Sequence, residues 1–215
     1  MAERDPNQKM EEELRRLALL PDEQIDTSDM PEVSDWSEAR RGAFFEGNFE
    51  KRQYDVRAMA NWFLSRLQAT GIGVSNLSLN KILYFAVERA LVERGILLTS
   101  ARIEAWDHGP VFREVYHAFK QNEKSVIKTR IFVYSTAEKT MIEASQPFRQ
   151  TDLDFFEEIA STYGPASPSN LVDLSHREGE PWHSVWNYRG KVNPGMEITA
   201  SIILRKAPMR RQIDA

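Results

Sequence analysis

One short segment restricts the possible folds of this chain more than any other. The run from Ile82 to Val87, Ile-Leu-Tyr-Phe-Ala-Val, is apolar on almost every side when it is wound into a helix. Such a helix has to be surrounded by other elements, because any face left in water would expose large apolar side chains. We therefore predict a central helix from Leu79 to Arg94, with Ser78 as its N-cap and Gly95 at its end.

Other segments with helical spacing are available to surround this central helix. Apolar residues recur at helical intervals over 56–67, before it in the chain. After it, one predicted helix opens at Thr151–Asp154, which resembles a capping box, and stops at Gly164. Another opens at Ser167-Pro168 and runs to Gly179.

A smaller part of the chain has strand character. Ile131–Tyr134 and Met141–Ala144 flank a polar turn and predict a short β-hairpin. Arg102–Trp106 fits a short strand or an extended link, and Ile198–Leu204 fits either a strand or a helix. The predicted fold class is mainly α (α+β): a compact helical domain with a short β-hairpin, plus an irregular acidic N-terminal extension.

The sequence divides into an extension over 1–50, a domain over 54–204 and a basic tail over 205–215. Between residues 21 and 50 there are nine acidic and two basic residues, an excess of seven negative charges. The apolar residues of this stretch follow no helical or strand period, and such a segment rarely builds its own core. We expect it to stay extended, to dock on its own domain or to fold on a partner.

The overall composition excludes several kinds of site. The 215 residues include no cysteine, which removes disulfides, zinc ribbons, iron–sulfur clusters and thiol catalysis. The net charge of -4 gives no general attraction for nucleic acid. No signal-peptide run or membrane-length apolar stretch is evident, so we expect a cytoplasmic protein without membrane contact.

The chain has four histidines, His108, His117, His176 and His183, which are the first candidates for a catalytic or metal site. They show no metal-ligand spacing, and the chain has no nucleophile elbow, Walker loop or dinucleotide fingerprint. We expect no enzymatic activity, no metal and no cofactor. A metal-dependent hydrolase centred on His108 and His176 is the alternative.

Structural roles for these two histidines are the simpler interpretation. Pro110 suits the first position of a helix, which Asp107 or His108 would cap. His176 lies near a helix C-terminus, where its protonated form would interact favourably with the helix dipole.

Trp182, Trp186 and Tyr188 lie near Arg177, Arg189 and Lys191. Aromatic residues with basic neighbours occur in proteins that bind single-stranded nucleic acid. Packing of the tryptophans in the core is the favoured interpretation, because side chains of this size are usually buried.

Three motifs in a fixed order carry a family resemblance. They are Leu79-Asn-Lys-Ile-Leu-Tyr-Phe-Ala86; then Trp106, Gly109-Pro-Val111 and Val115-Tyr116; then Leu174-Ser-His176 with Pro181-Trp182. Over about 54–204 the chain resembles the Panacea domain of the SocA-like antitoxin family, which includes phage-associated proteins. Ser175 stands where the family pattern usually has threonine. The resemblance assigns motif positions, with a structural role, to Lys81, Tyr84, Trp106, His108, Gly109, Pro110, Tyr116, Ser175, His176 and Trp182.

The resemblance implies a mostly helical antitoxin that binds and neutralises a cognate toxin encoded beside it. Some relatives are adaptors that deliver a toxin to a protease, and this is one alternative. A DNA-binding regulator of its own operon is another, although nucleic acid is not the favoured partner. Self-association is also open.

The N-terminal extension resembles a segment carried by many small bacterial antitoxins. An acidic stretch with spaced aromatic residues suits folding on a partner. We expect its apolar residues to anchor it on the toxin and its acidic residues to steer it. The predicted anchors are Ile25, Met30, Val33, Trp36, Phe44 and Phe45, and the steering residues are Asp22, Asp26, Asp29 and Glu32.

Overall fold

The computed structural model describes residues 49–122 and 124–213. Its helices are α1 (Val56–Ala69), α2 (Asn76–Arg94), α3 (Arg113–Phe119), α4 (Gln150–Tyr163), α5 (Pro168–His176), α6 (Pro181–Trp186) and α7 (Ala200–Ile213). Its strands are β1 (Glu50–Lys51), β2 (Ile96–Leu97), β3 (Ile103–Trp106), β4 (Gly109–Phe112), β5 (Phe132–Ser135) and β6 (Thr140–Glu143). The described part is thus mainly α, with three two-stranded sheets, which confirms the predicted fold class.

Helix α2 lies at the centre, as its apolar composition predicts. It contacts α1, α3, α4, α5 and α7, and its residues from Leu79 to Glu88 are all buried. The helix begins at Asn76, three residues earlier than expected, because Ser75 rather than Ser78 is the N-cap. The Ser75 hydroxyl accepts the Ser78 N–H at 3.2 Å. Gly95 ends the helix in the left-handed conformation, as predicted.

The helix expected to begin at Pro110 does not exist at that position. Residues 109–112 form β4, which pairs antiparallel with β3, and α3 begins only at Arg113. Asp107 and His108 form the tight turn between the two strands and cap no helix. Strand pairing wins here because β3 satisfies the backbone of β4 along its length, and Asn80 Oδ1 accepts the Phe112 N–H at 2.9 Å.

The far side of β3 is also paired. Gly195 N–H donates to the Ala105 carbonyl at 2.7 Å, and Ile198 N–H donates to the Ile103 carbonyl at 2.8 Å. The segment before α7 therefore runs as an extended chain along β3. Ile198–Leu204 is mostly helical, since α7 starts at Ala200.

Two predicted helix boundaries need correction. Helix α4 begins at Gln150 after Arg149, which makes no side-chain cap, so Thr151–Asp154 is not a capping box. The side chain of Asp152 is instead buried in a network of ion pairs. Helix α5 opens at Pro168 with Ser167 as its N-cap, as predicted, but ends at His176 rather than Gly179.

The predicted hairpin over 131–144 is present as β5 and β6. The two strands pair antiparallel from Phe132 with Glu143 to Ser135 with Thr140. Within the described part of the chain they pair with no third strand. The hairpin therefore depends on the helices beneath it for its stability.

Candidate functional site

The three motif segments meet in one buried cluster around β4. Lys81 from α2 is fully buried, and its Nζ donates to the Pro110 carbonyl oxygen at 2.9 Å. Ser175 from α5 is also fully buried. We call Lys81, Gly109, Pro110, Ser175, His176 and Trp182 the motif cluster. Motifs far apart in sequence thus form one continuous piece of the interior.

Gly109 is required at its position for two reasons. Its φ of +97° lies in the region that side chains rarely adopt. A Cβ there would also come within 2.7 Å of Ser175 Oγ and 2.8 Å of Lys81 Nζ. A glycine at the start of β4 is therefore what allows Lys81 and α5 to approach the hairpin so closely.

The ammonium group of Lys81 is in an unfavourable environment. Burial disfavours the charged form and lowers its pKa to about 7. Near neutral pH the side chain is therefore divided between the charged and neutral forms. Because neither Lys81 nor Ser175 has any solvent exposure, their described contacts are with other parts of the protein.

His176 belongs to an aromatic stack rather than to a helix-end ion site. Its ring lies parallel to that of Trp182, with centroids 3.6 Å apart, and Trp182 stacks in turn on Trp186 at 5.4 Å. Burial and the charge of Lys81 lower the pKa of His176. The dipole interaction expected for a protonated His176 is therefore disfavoured near neutral pH.

Trp182 connects the stack to the β3–β4 hairpin. Its Nε1 donates to the Trp106 carbonyl at 2.9 Å, and the Trp106 ring makes an edge contact with Tyr116 at 4.7 Å. Trp182 is buried and Trp186 is half-buried, which agrees with core packing rather than with stacking on bases. Tyr84, another motif residue, donates its buried hydroxyl to Glu88 at 2.8 Å.

His108 is separated from this interior by its exposure. Its side chain is 75% exposed in the β3–β4 turn, with Nδ1 3.9 Å from Asp107 Oδ2. In the described ranges, no group of three or more His, Asp or Glu side chains is arranged to hold a metal ion.

An open groove of about 470 Å³ lies on the outer side of β3, lined by Glu104, Trp106, Asp107, Arg113, Trp186, Pro194 and Gly195. Glu104 is buried and accepts the Trp106 Nε1–H at 2.9 Å. Arg102 and Arg113 each approach its Oε1 to 3.7 Å. The burial of Glu104 among Trp106, Arg102 and Arg113 was not predicted from the sequence. The signal that could have been used is an acidic residue that stands between the apolar residues Ile103 and Ala105.

The predicted toxin-binding residues lie outside the described residues. They are Asp22, Ile25, Asp26, Asp29, Met30, Glu32, Val33, Trp36, Phe44 and Phe45. Within the described part, no helix combines the length and apolar character needed to cross a membrane.

Together the motif cluster and the central α2 define a class of protein, a helical domain built around a Gly-Pro hairpin. The family described as antitoxin SocA-like, Panacea domain, matches residues 79–183, from α2 into α6, and the chain belongs to this family. One relative is the Antitoxin SocA of Caulobacter vibrioides (strain NA1000 / CB15N). It is 36% identical over 155 residues, which are 72% of this chain and 82% of the relative. No solved structure matches the chain.

Proposed function

We infer that this protein is an antitoxin that neutralises a toxin by binding it directly. The observation that supports this most is the 36% sequence identity to Antitoxin SocA, which extends over most of both chains. The described interior is consistent with a binding scaffold, because the buried polar groups of Lys81 and Ser175 donate to backbone carbonyls of the domain itself.

The N-terminal segment is the first contact surface that we assign to the toxin. Many toxins act on RNA, nucleotides or other phosphate-bearing substrates, and a cleft for such substrates is often basic. A segment with nine acidic residues over 21–50 is attracted to a basic cleft. Trp36 and Phe45 then supply large apolar anchors that exclude the substrate.

The test is rescue of growth by co-expression with the toxin encoded beside this gene. The Trp36→Ala/Phe45→Ala variant is expected to lose rescue, because it removes two anchors and leaves the acidic residues in place. A matched control is Ser28→Ala/Ser34→Ala, which changes the same segment without removing an apolar anchor. Full rescue by the tryptophan and phenylalanine variant would contradict the role of this segment.

Mixing the two purified proteins tests direct neutralisation itself. A stoichiometric loss of toxin activity is expected in this mixture. If the toxin stays active in the mixture but disappears from cells that contain both proteins, the protein is a protease adaptor instead.

A further inference from the structure

An apolar groove lies at the point where the described chain begins. Its volume is about 280 Å³, and it is bounded by β1, the segment from β2 to β3 and the start of α7. Its floor consists of the buried side chains of Val87, Ile103, Ile198 and Ile203. We call it the entry groove. Core side chains at the floor of an open groove favour an apolar occupant, because such an occupant removes their remaining surface from water.

The chain enters the domain beside this groove. Phe49, the first described residue, lines the groove and is half-buried against the core. The adjacent strand β1 fixes its position, since the Glu50 N–H donates to the Gly95 carbonyl at 2.9 Å. The residues that precede Phe49 therefore start from the edge of the entry groove.

Two phenylalanines are the nearest large apolar residues before Phe49. Between Trp36 and Phe49 the sequence contains no other side chains of this kind than Phe44 and Phe45. An extended chain of four or five residues spans at most about 14–18 Å, so both rings can reach the groove. Gly47-Asn48, which separates them from Phe49, is a pair that favours a reversal of the chain direction.

The short connection favours docking on the same chain. A segment tethered by so few residues has an effective concentration on the order of millimolar at the groove, so that even weak binding populates the docked state. Docking also removes two phenylalanine rings from water, and each can bury about 150–250 Å². Both effects favour the chain's own segment as the occupant over a partner at ordinary protein concentrations.

We propose that Phe44 and Phe45 dock in the entry groove of their own domain while no toxin is bound. The same two residues are predicted anchors on the toxin, so they have to leave the groove before they can contact it. The apparent Kd for the toxin is then the intrinsic Kd divided by the fraction of molecules with free anchors. The docking itself does not depend on the proposed function, whereas the competition with the toxin rests on it.

The test uses disulfide formation in the full chain without toxin. The native chain has no cysteine, so a disulfide between two introduced cysteines reports their proximity, which requires Cα atoms within about 7 Å. Ala43→Cys, next to the two phenylalanines, is paired with Ala101→Cys or with Ala200→Cys, both of which line the groove. At least one of these groove pairs is expected to form an intramolecular disulfide about tenfold faster than the control pair, as measured by mass spectrometry.

The control pair is Ala43→Cys/Gln150→Cys. Gln150 is exposed and follows Arg149, whose guanidinium lies 3.0 Å from the Glu50 carboxylate. This position is therefore close to the start of the described chain, but it does not line the groove. Equal rates for the groove and control pairs would overturn the proposal. A disulfide between two molecules would also overturn it, because a second copy would then supply the occupant.

A second variant tests whether the two rings hold the segment in place. Adding Phe44→Ser/Phe45→Ser to the groove pairs is expected to slow disulfide formation to the rate of the control pair. Adding Ser34→Ala/Ser37→Ala instead is expected to leave the rate unchanged. If the phenylalanine substitutions do not slow the reaction, the segment passes the groove without docking there, and the proposal is wrong.

Addition of the purified toxin separates this inference from the proposed function. The toxin is expected to slow the groove disulfide, and the oxidised groove pair is expected to bind the toxin with a Kd about tenfold higher than the reduced one. If the disulfide forms but the reduced protein does not bind the toxin, the docking stands and the proposed function is wrong. If the toxin binds and the groove pairs react no faster than the control, only the docking is wrong. Binding that does not slow the disulfide overturns the competition.

Discussion

At the scale of single residues, Lys81 is unusual because a lysine side chain is fully buried in the domain. A charged residue stands directly before the apolar run Ile82–Val87 of α2, and the fold buries it completely. Its Nζ reaches the Pro110 carbonyl, so the lysine fastens α2 to the β3–β4 hairpin. That contact requires burial of an amine, which costs free energy whenever the amine is protonated.

Stability should therefore depend on the protonation of Lys81. The ordinary lysine pKa is 10.5, and burial lowers that of Lys81 to about 7 in the folded protein. Between these values the unfolded chain binds more protons than the folded one, so the free energy of unfolding rises with pH. The expected slope from this residue is at most about 1.4 kcal/mol per pH unit.

Urea unfolding between pH 7 and pH 9.5 measures this slope. Lys81→Met keeps the length and apolar stem of the side chain and is expected to lose the lysine-dependent rise. Lys128→Met, at an exposed lysine, is expected to keep it. Identical pH dependence in Lys81→Met and the wild type would show that Lys81 stays protonated in the folded state.

At the scale of elements, the β5–β6 hairpin illustrates how a weak unit is made stable. An isolated two-stranded hairpin is marginal in water. Here Asn61 of α1 forms hydrogen bonds with the backbone at the base of both strands, where a third strand would otherwise pair. Val133, on the opposite face of the hairpin from Phe132 and Tyr134, packs against the core.

Removing this asparagine should loosen the hairpin more than the rest of the domain. Asn61→Ala leaves an N–H and two carbonyl groups buried without their partner, and we expect a loss of about 3 kcal/mol of stability. Amide hydrogen exchange should accelerate most over 131–144 and least in α2. Asn170→Ala, at an exposed position of α5, is the control. Uniform acceleration throughout the domain would contradict a local role for Asn61.

At the scale of the whole described domain, Asp152 joins segments that are far apart in the chain. Its buried carboxylate accepts from Arg52 at 2.7 Å, from the Tyr54 hydroxyl at 2.8 Å and from Arg94 at 3.0 Å. Burial alone would raise the pKa of Asp152, but the hydrogen bonds and charges of these partners outweigh it and lower the pKa. One carboxylate thus ties the chain before α1 and the end of α2 to α4.

Loss of this carboxylate should destabilise the whole domain. Asp152→Ala leaves two arginines without their shared partner, and the expected cost is about 3–5 kcal/mol in the urea unfolding free energy. Asp154→Ala, two residues along the same helix at an exposed position, is expected to change stability little. Because the pKa of Asp152 is lowered on folding, its contribution is present above the ordinary aspartate pKa and is lost as the pH falls through the folded value. Equal effects of the two substitutions would show that the network contributes no net stability.

The sequence by itself determined the elements whose residues interact mainly with their own neighbours. The apolar run of α2, the helical spacing of α1, the Ser167-Pro168 start of α5 and the two halves of the β5–β6 hairpin were all predicted, because periodicity and capping are local properties. The ordered motifs also predicted the family. They did not show why those residue types are needed, since Lys81, Gly109 and Ser175 explain one another only when they are brought into contact.

Tertiary structure decided the cases in which a distant partner competes with a local preference. Pro110 suits the start of a helix, but in the structure it lies in β4 and pairs with Ala105 of β3. The sequence of Thr151–Asp154 suits a capping box, but the Asp152 carboxylate forms ion pairs with Arg52 and Arg94 instead. Asn61 gave no periodic signal, since its partners Ile131 and Ala144 lie in another segment of the chain. Hydrogen bonds and ion pairs of this kind depend on which segments the packed helices bring together, and that information is not contained in any one stretch of sequence.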